Sequence, residues 1–333
     1  QFLATEALIW IVAVVLWRID ARRRRGPAAA VADRPTSARP PATPPRLPLL
    51  FVSAVTAVTI VADQLLGAPA FTSFFGYSPI AAFRFYGIGN EGAAILVGAV
   101  IVGMTLALDQ WPHAAATRHL RRWGVPVIGL ATTLVCALPE LGANVGVAIW
   151  AVVAFGVLWL LVNDWRINIW RLAALAAAVV VVLGALLLLD RFGGGAQTHL
   201  ARSVASAEAG GLIRLWEIIA RKAGTNLRVF LHSNLTYVFA AVIVYLVYMR
   251  WRPAGDFAAL IAANPRFGDG IWATLIGGIV AFFSEDSGIV LPALMVLYMG
   301  AAMVWLMLDP LRGKELPVLV ASGSAESAEE ETK

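Results

Sequence analysis

Long uninterrupted apolar runs constrain the fold of this chain more than any single motif. Most of the runs are about 16–20 residues long, enough for one helix to cross a bilayer core. In lipid, each spanning segment must satisfy its own backbone hydrogen bonds, so runs of this kind become helices. Composition agrees. With 59% hydrophobic and 14% charged residues over 333 positions, a water-soluble domain would expose far too much apolar surface. The expected fold is all-α, a polytopic integral membrane protein. About nine transmembrane helices are read: Phe2–Trp17, Leu47–Leu66, Asn90–Leu108, Val125–Leu138, Ala143–Val162, Leu172–Leu189, Leu235–Tyr248, Ile271–Phe283 and Ile289–Leu308. Val125–Leu138 and Ile271–Phe283 are short, and read either as tilted crossings or as re-entrant halves.

The basic residues orient these spans. Let alternate loops, beginning after the first span, be cytoplasmic. That side then holds every Lys and Arg except Arg84, Arg191, Arg202, Arg214, Arg221, Lys222 and Arg228. Every short loop obeys the positive-inside rule, which puts the N-terminus outside and the C-terminus inside. The net charge of +5 is therefore topological and gives no sign of nucleic-acid binding. Cys136 is the single cysteine, so no disulfide forms within the chain. A bacterial cytoplasmic (inner) membrane is the expected location. Residue 1 is Gln, so the chain is read as processed or as a piece of a longer one.

Four regions follow. Residues 1–17 form the first transmembrane helix. Residues 18–46 are a basic, Pro-rich cytoplasmic linker, expected to be disordered, with seven prolines between Arg22 and Pro48. Its arginines either touch anionic headgroups or simply anchor the topology. Residues 47–310 form the polytopic domain. Its outer loop, 190–234, contains an amphipathic helix over 211–222, with Arg214, Glu217 and Arg221 on one face. That helix lies on the outer leaflet or across the tops of the spans. Residues 311–333 are an acidic tail, also expected to be disordered.

Four polar motifs fall at outer span ends: Gly89-Asn90-Glu91, Pro139-Glu140-Leu141-Gly142-Ala143-Asn144, Thr198-His199-Leu200-Ala201-Arg202-Ser203 and Ser284-Glu285-Asp286-Ser287-Gly288. Taken singly, Asn90, Asn144 and Ser287 serve as N-caps, and Glu91 as a first-turn acid favoured by the helix dipole. Capping alone does not require an adjacent Glu285-Asp286 pair or a Gly-x-Gly-Asn-Glu string. Helix N-termini attract anions, and Arg84, His199 and Arg202 add phosphate donors, with Asn90 and Asn144 as further substrate-binding amides. Glu91, Glu285 and Asp286 repel an anion unless a divalent cation bridges them to it. The same residues fit sugar hydroxyls, or a proton carried by Glu91. Glu91 and Asp286 are the acid–base candidates, and Glu91, Glu285 and Asp286 the metal-ligand candidates. Walker, His-Glu-x-x-His and Gly-x-Ser-x-Gly motifs do not occur, and no dinucleotide fingerprint is read, because the Gly-x-Gly-x-x-Gly spacing of Gly87, Gly89 and Gly92 opens a membrane span and follows no strand.

Arg84-Phe85-Tyr86-Gly87-Ile88-Gly89-Asn90-Glu91 resembles a string in a group of poorly characterised bacterial polytopic membrane proteins. Leu141-Gly142-Ala143-Asn144-Val145-Gly146 and His199-Leu200-Ala201-Arg202-Ser203 are similar to intermediate motifs of that group. Near the C-terminus it carries Asn-Asp-Ser-Gly, where this chain has Glu285-Asp286-Ser287-Gly288, a carboxylate in place of an amide. The resemblance covers about residues 45–310. It implies, for some members, an alkaline-phosphatase-like domain ahead of the membrane part and outside the cell.

Three functions remain open on the sequence. One is the membrane half of a cell-envelope enzyme or assembly factor, acting on a phosphate-bearing or lipid-linked substrate at the outer leaflet. Another is a secondary transporter or lipid flippase with Glu91 as the coupling carboxylate. The third is a structural anchor without chemistry. Membrane lipid is a partner in all three.

Overall fold

The computed structural model describes residues 46–67, 87–192, 217, 220, 224–285 and 287–308. Among the described residues all regular structure is helical and no strand occurs. The helices are α1 (Leu47–Leu65) and α2 (Asn90–Gln110). Next, Ala115–His119, a π turn Leu120–Gly124 and Val125–Ala137 run on as one helix, α3. Then follow α4 (Val147–Val162), α5 (Ile169–Phe192), α6 (Gly224–His232) and α7 (Asn234–Trp251). A short α8 (Gly255–Ala263), α9 (Pro265–Ser284) and α10 (Val290–Leu308) complete the bundle. Every predicted apolar run within the described residues falls on a helix, while Phe2–Trp17 lies outside them.

Among the described residues, five helices are long and apolar enough to cross a membrane: α1, α2, Ile169–Asp190 of α5, α9 and α10. The count is six if α6 and α7, which meet at 87°, form one broken span. This is the architecture of a helical membrane protein.

Several predicted boundaries move. The run read as Val125–Leu138 extends backwards through the π turn, because Leu120 and Trp123 continue the helix beneath Arg118, Arg121 and Arg122. Side chains of α4 take up carbonyls there: Trp159 Nε1 donates to Arg122 O at 2.9 Å, and Asn163 Nδ2 to Arg121 O at 3.0 Å. A π turn leaves such carbonyls without their usual i+4 partner. Ile271–Phe283 is likewise only the apolar part of the 20-residue α9, which starts at Pro265, an N-terminal proline with no amide hydrogen to lose. Helix α4 begins at Val147 rather than Ala143, since 138–146 form a tight loop. The predicted outer loop 190–234 contains α6, and the predicted amphipathic helix 211–222 lies almost wholly outside the described residues.

The bundle is organised around α2. Leu96, Val97, Ile101, Val102 and Leu106 are fully buried, and 72% of its spanning window is enclosed by other helices. In α5, which is more apolar, only 6% is enclosed. Helix α9 packs on α4 and α2, α1 on α2, and α3 on α4. Small residues permit the closest approach: a Cβ added to Gly277 of α9 would lie 2.5 Å from Ala154 Cβ of α4. Helices α1, α3 and α9 run antiparallel to α2, and α4 and α10 parallel to it. The two ends of α2, roughly 30 Å apart at 1.5 Å per residue, therefore gather different sets of chain ends.

Candidate functional site

At the end where α2, α4 and α10 begin, three short polar side chains form one hydrogen-bonded line. Asn144 Nδ2 donates to Asn90 Oδ1 at 2.7 Å, and Asn90 Nδ2 donates to Ser287 Oγ. All three are buried. Neither asparagine is used as a cap. Gly89 occupies the N-cap position of α2 and Gly146 that of α4, both without a side-chain bond. The amides link helix starts to one another instead. The expectation of simple capping is thereby corrected for Asn90 and Asn144.

Backbone geometry fixes this line. Gly87 has φ +77°, and a Cβ on it would lie 2.2 Å from Gly142 O. Only glycine fits there, and it lets Ile88 N donate to that same Gly142 O at 2.8 Å. The 138–146 loop folds back on α3: Gly142 N donates to Val135 O and Asn144 N to Cys136 O, each at 2.9 Å. The Asn144 backbone is therefore fixed on α3, and its Nδ2 also donates to Ile88 O at 3.3 Å.

Two carboxylates flank the line. Glu285 is 4% exposed, follows the last turn of α9, and accepts from Trp150 Nε1 at 3.3 Å. It fits against α4 because residue 146 is glycine: a Cβ there would lie 2.2 Å from Glu285 Oε1. Asn226 of α6 closes this side, its Nδ2 donating to Phe282 O at 2.8 Å and Glu285 O at 2.7 Å. Helix α6 thus lies across this end of the bundle. Glu91 sits in the first turn of α2, with Oε2 buried and without a hydrogen-bond partner.

No protein-family model matches the chain. No curated protein and no solved structure is significantly similar to it either. The site must be read from its own chemistry.

Of the predicted site residues, the structure brings Asn90 and Asn144 together, with Ser287 as the third member and Glu285 and Glu91 at the same end. Arg84, His199, Arg202 and Asp286 lie outside the described residues. Among the described residues no three His, Cys, Asp or Glu side chains group as metal ligands; of the predicted ligands Glu91 and Glu285 are described and Asp286 is not. Trp150, Asn226 and Gln64 were not singled out from the sequence. Each lies within an apolar or amphipathic helix, where composition gives no signal.

A second polar cluster, also missed, occupies the opposite end. Arg46 is 6% exposed; its Nε donates to Asn264 Oδ1, its Nη1 to Asp109 O and its Nη2 to Ala263 O, each at 2.7 Å. The Asp109 carboxylate accepts the first amides of α9, Arg266 N at 3.0 Å and Phe267 N at 2.8 Å. It caps a helix that begins more than 150 residues later. Arg266 grips Asp164 with both nitrogens, at 2.8 and 3.0 Å, and reaches Asp269 at 3.1 Å. That bidentate hydrogen bond holds the Asp164 carboxyl below its ordinary range. Exposed Trp111, Trp123, Trp165, Trp170 and Trp251 ring the same end. Such a girdle marks a membrane–water boundary.

Proposed function

We propose that this chain is the membrane half of a cell-envelope enzyme or assembly factor that handles a phosphate-bearing, lipid-linked substrate at the outer leaflet of a bacterial inner membrane. The carrying observation is the Asn144–Asn90–Ser287 line, which ties three helix starts into a preorganised polar floor beside Glu91 and Glu285. Two of those starts, in α2 and α10, present the positive ends of helix dipoles, which favour an anionic headgroup. Glu91 is the acid–base group, and Asn90, Asn144 and Ser287 position the substrate. Arg84, His199 and Arg202 join it as phosphate donors.

Orientation is part of the proposal: about nine spans, N-terminus outside and C-terminus inside. Supporting it, Arg46, Arg121, Arg122, Arg171 and Arg266 gather at the end opposite the amide line, as cytoplasmic arginines do. Cysteines placed singly at exposed Glu140 and Ala114, in a Cys136→Ala background, report this directly. An impermeant thiol reagent on intact cells should label position 140 and spare 114, and the reverse pattern inverts the molecule.

A second reading, a transporter or flippase with Glu91 as coupling carboxylate, is favoured by the unpartnered Glu91 Oε2, a natural proton acceptor. Glu91→Gln tests both roles. Size and hydrogen-bonding capacity are kept, so melting temperature should hold while envelope complementation falls by orders of magnitude. Transport assays in proteoliposomes, with and without a pH gradient, then separate the readings. Full complementation by Glu91→Gln rules out both.

A further inference from the structure

Gln64, near the end of α1, is 1% exposed, yet neither its amide nitrogen nor its carbonyl oxygen has a hydrogen-bond partner. Buried amides are normally satisfied. Its position follows from helix register. Ser53, Ile60 and Gln64 share one stripe of α1, at spacings of seven and four residues. Ser53 faces α2, where a Cβ on Gly103 would lie 3.3 Å from Ser53 Cβ. The helices are antiparallel, so advancing from Ser53 to Gln64 corresponds to retreating from Gly103 to Gly92. Gln64 thus lies level with a residue that has no side chain, one position from Glu91, whose Oε2 is also unpartnered.

The unmet groups are two amide hydrogens, an amide oxygen and a carboxylate oxygen. A bare cation satisfies the oxygens and leaves the Gln64 hydrogens unmet. An anion takes those hydrogens, is repelled by Glu91, and leaves the Gln64 oxygen unmet. A hydroxyl donates and accepts at once, and two neighbouring hydroxyls complete the set. We propose that Gln64 and Glu91 bind the vicinal hydroxyls of a polyol or sugar headgroup. This rests on the outer-leaflet, lipid-linked substrate proposed above and assigns its headgroup chemistry.

The test uses the full chain in nanodiscs containing either phosphatidylinositol, which carries a polyol ring, or phosphatidic acid, which carries phosphate alone. Native mass spectrometry reads the retained lipid. Wild type should retain phosphatidylinositol over phosphatidic acid by about tenfold, the effect of one or two net hydrogen bonds. Gln64→Leu should abolish the preference without lowering the melting temperature, and Gln64→Met serves equally if the leucine protein fails to accumulate. Inositol 1-phosphate as competitor separates sources: displacement indicates a free polyol phosphate, and its failure indicates a requirement for the lipid. Equal retention of both lipids by wild type, or an unchanged preference in Gln64→Leu, overturns the hydroxyl site and leaves buried water as its content. Envelope complementation is read separately. A Gln64→Leu protein that complements fully and keeps its lipid preference sinks this inference alone, whereas only Glu91→Gln bears on the function proposed above.

Discussion

The two ends of the bundle bury polar groups by opposite strategies. At the charged end, each main group meets a partner of matching sign or shape: Arg46 has three acceptors, Asp109 two backbone donors, and Arg266 two carboxylates. Among the described residues only Gln110 Oε1 is left unsatisfied there. At the amide end the connecting groups are neutral, and Gln64, Glu91 Oε2 and Asn226 Oδ1 remain unmet. Satisfied charge networks hold a fold together, while unmet buried groups cost stability and persist where a ligand supplies the missing partner. On the function proposed above, the difference separates a structural end from a working one.

Breaking the charged end should have the largest effect on stability. Arg46→Met removes a buried cation from three acceptors and should cost about 3–5 kcal/mol, read as a lowered melting temperature in detergent. A loss below about 1 kcal/mol would mean that water replaces the guanidinium and that the end is not dry. Gly87→Ala attacks the amide end through its backbone. The added Cβ meets Gly142 O in a left-handed conformation, and a loss of about 2–4 kcal/mol is expected, with envelope function lost in parallel. Asn90→Ala leaves Asn144 and Ser287 facing a gap and should cost about 1–3 kcal/mol. Its sharper readout is function, which should fall further than that stability loss explains. Equal losses at both ends for equal stability would erase the proposed contrast.

The smallest effect concerns Asp164, whose folded pKa is depressed by Arg266. The stabilisation from this pair is fully present above the unfolded value of 3.8 and is lost only as pH falls through the lower folded value. Asp164→Asn should therefore cost about 0–1 kcal/mol at neutral pH, as for a solvent-screened pair, and flatten the melting curve's dependence on pH below about 4. No difference between wild type and variant at neutral pH, with a large one at pH 3, would reverse the sign and exclude this pairing.

Helix positions were legible because apolar runs of bilayer length leave few alternatives, and α1, α2 and α10 fall where the runs predict, whereas α9 begins six residues before its run. Asn90, Asn144 and Glu285 were legible because polar residues at the margins of such runs stand out. The connections between them were not. Asn144 meets Asn90, and Arg46 meets Asn264, only through packing that brings distant helices to one level. Arg46 read as the last residue of a disordered linker, whereas it is buried against Asp109 and the junction between α8 and α9. Gln64 could not be found from composition, since a lone glutamine in an apolar run gives no sign of its partners. Register against α2 is what places it.

Asp109 also gives the molecule an order of assembly. Arg46 and Asp109 leave the ribosome long before Asn264, Arg266 and Phe267, the residues that complete their hydrogen bonds. Until then a carboxylate and a guanidinium wait at the edge of the bilayer with their bonds half made. A nascent chain that stops short of α9 is thus chemically distinct from a finished one: it leaves uncovered Arg46 and Asp109, which the complete protein buries. Release from the insertion machinery and escape from membrane proteases would both depend on the arrival of one helix start.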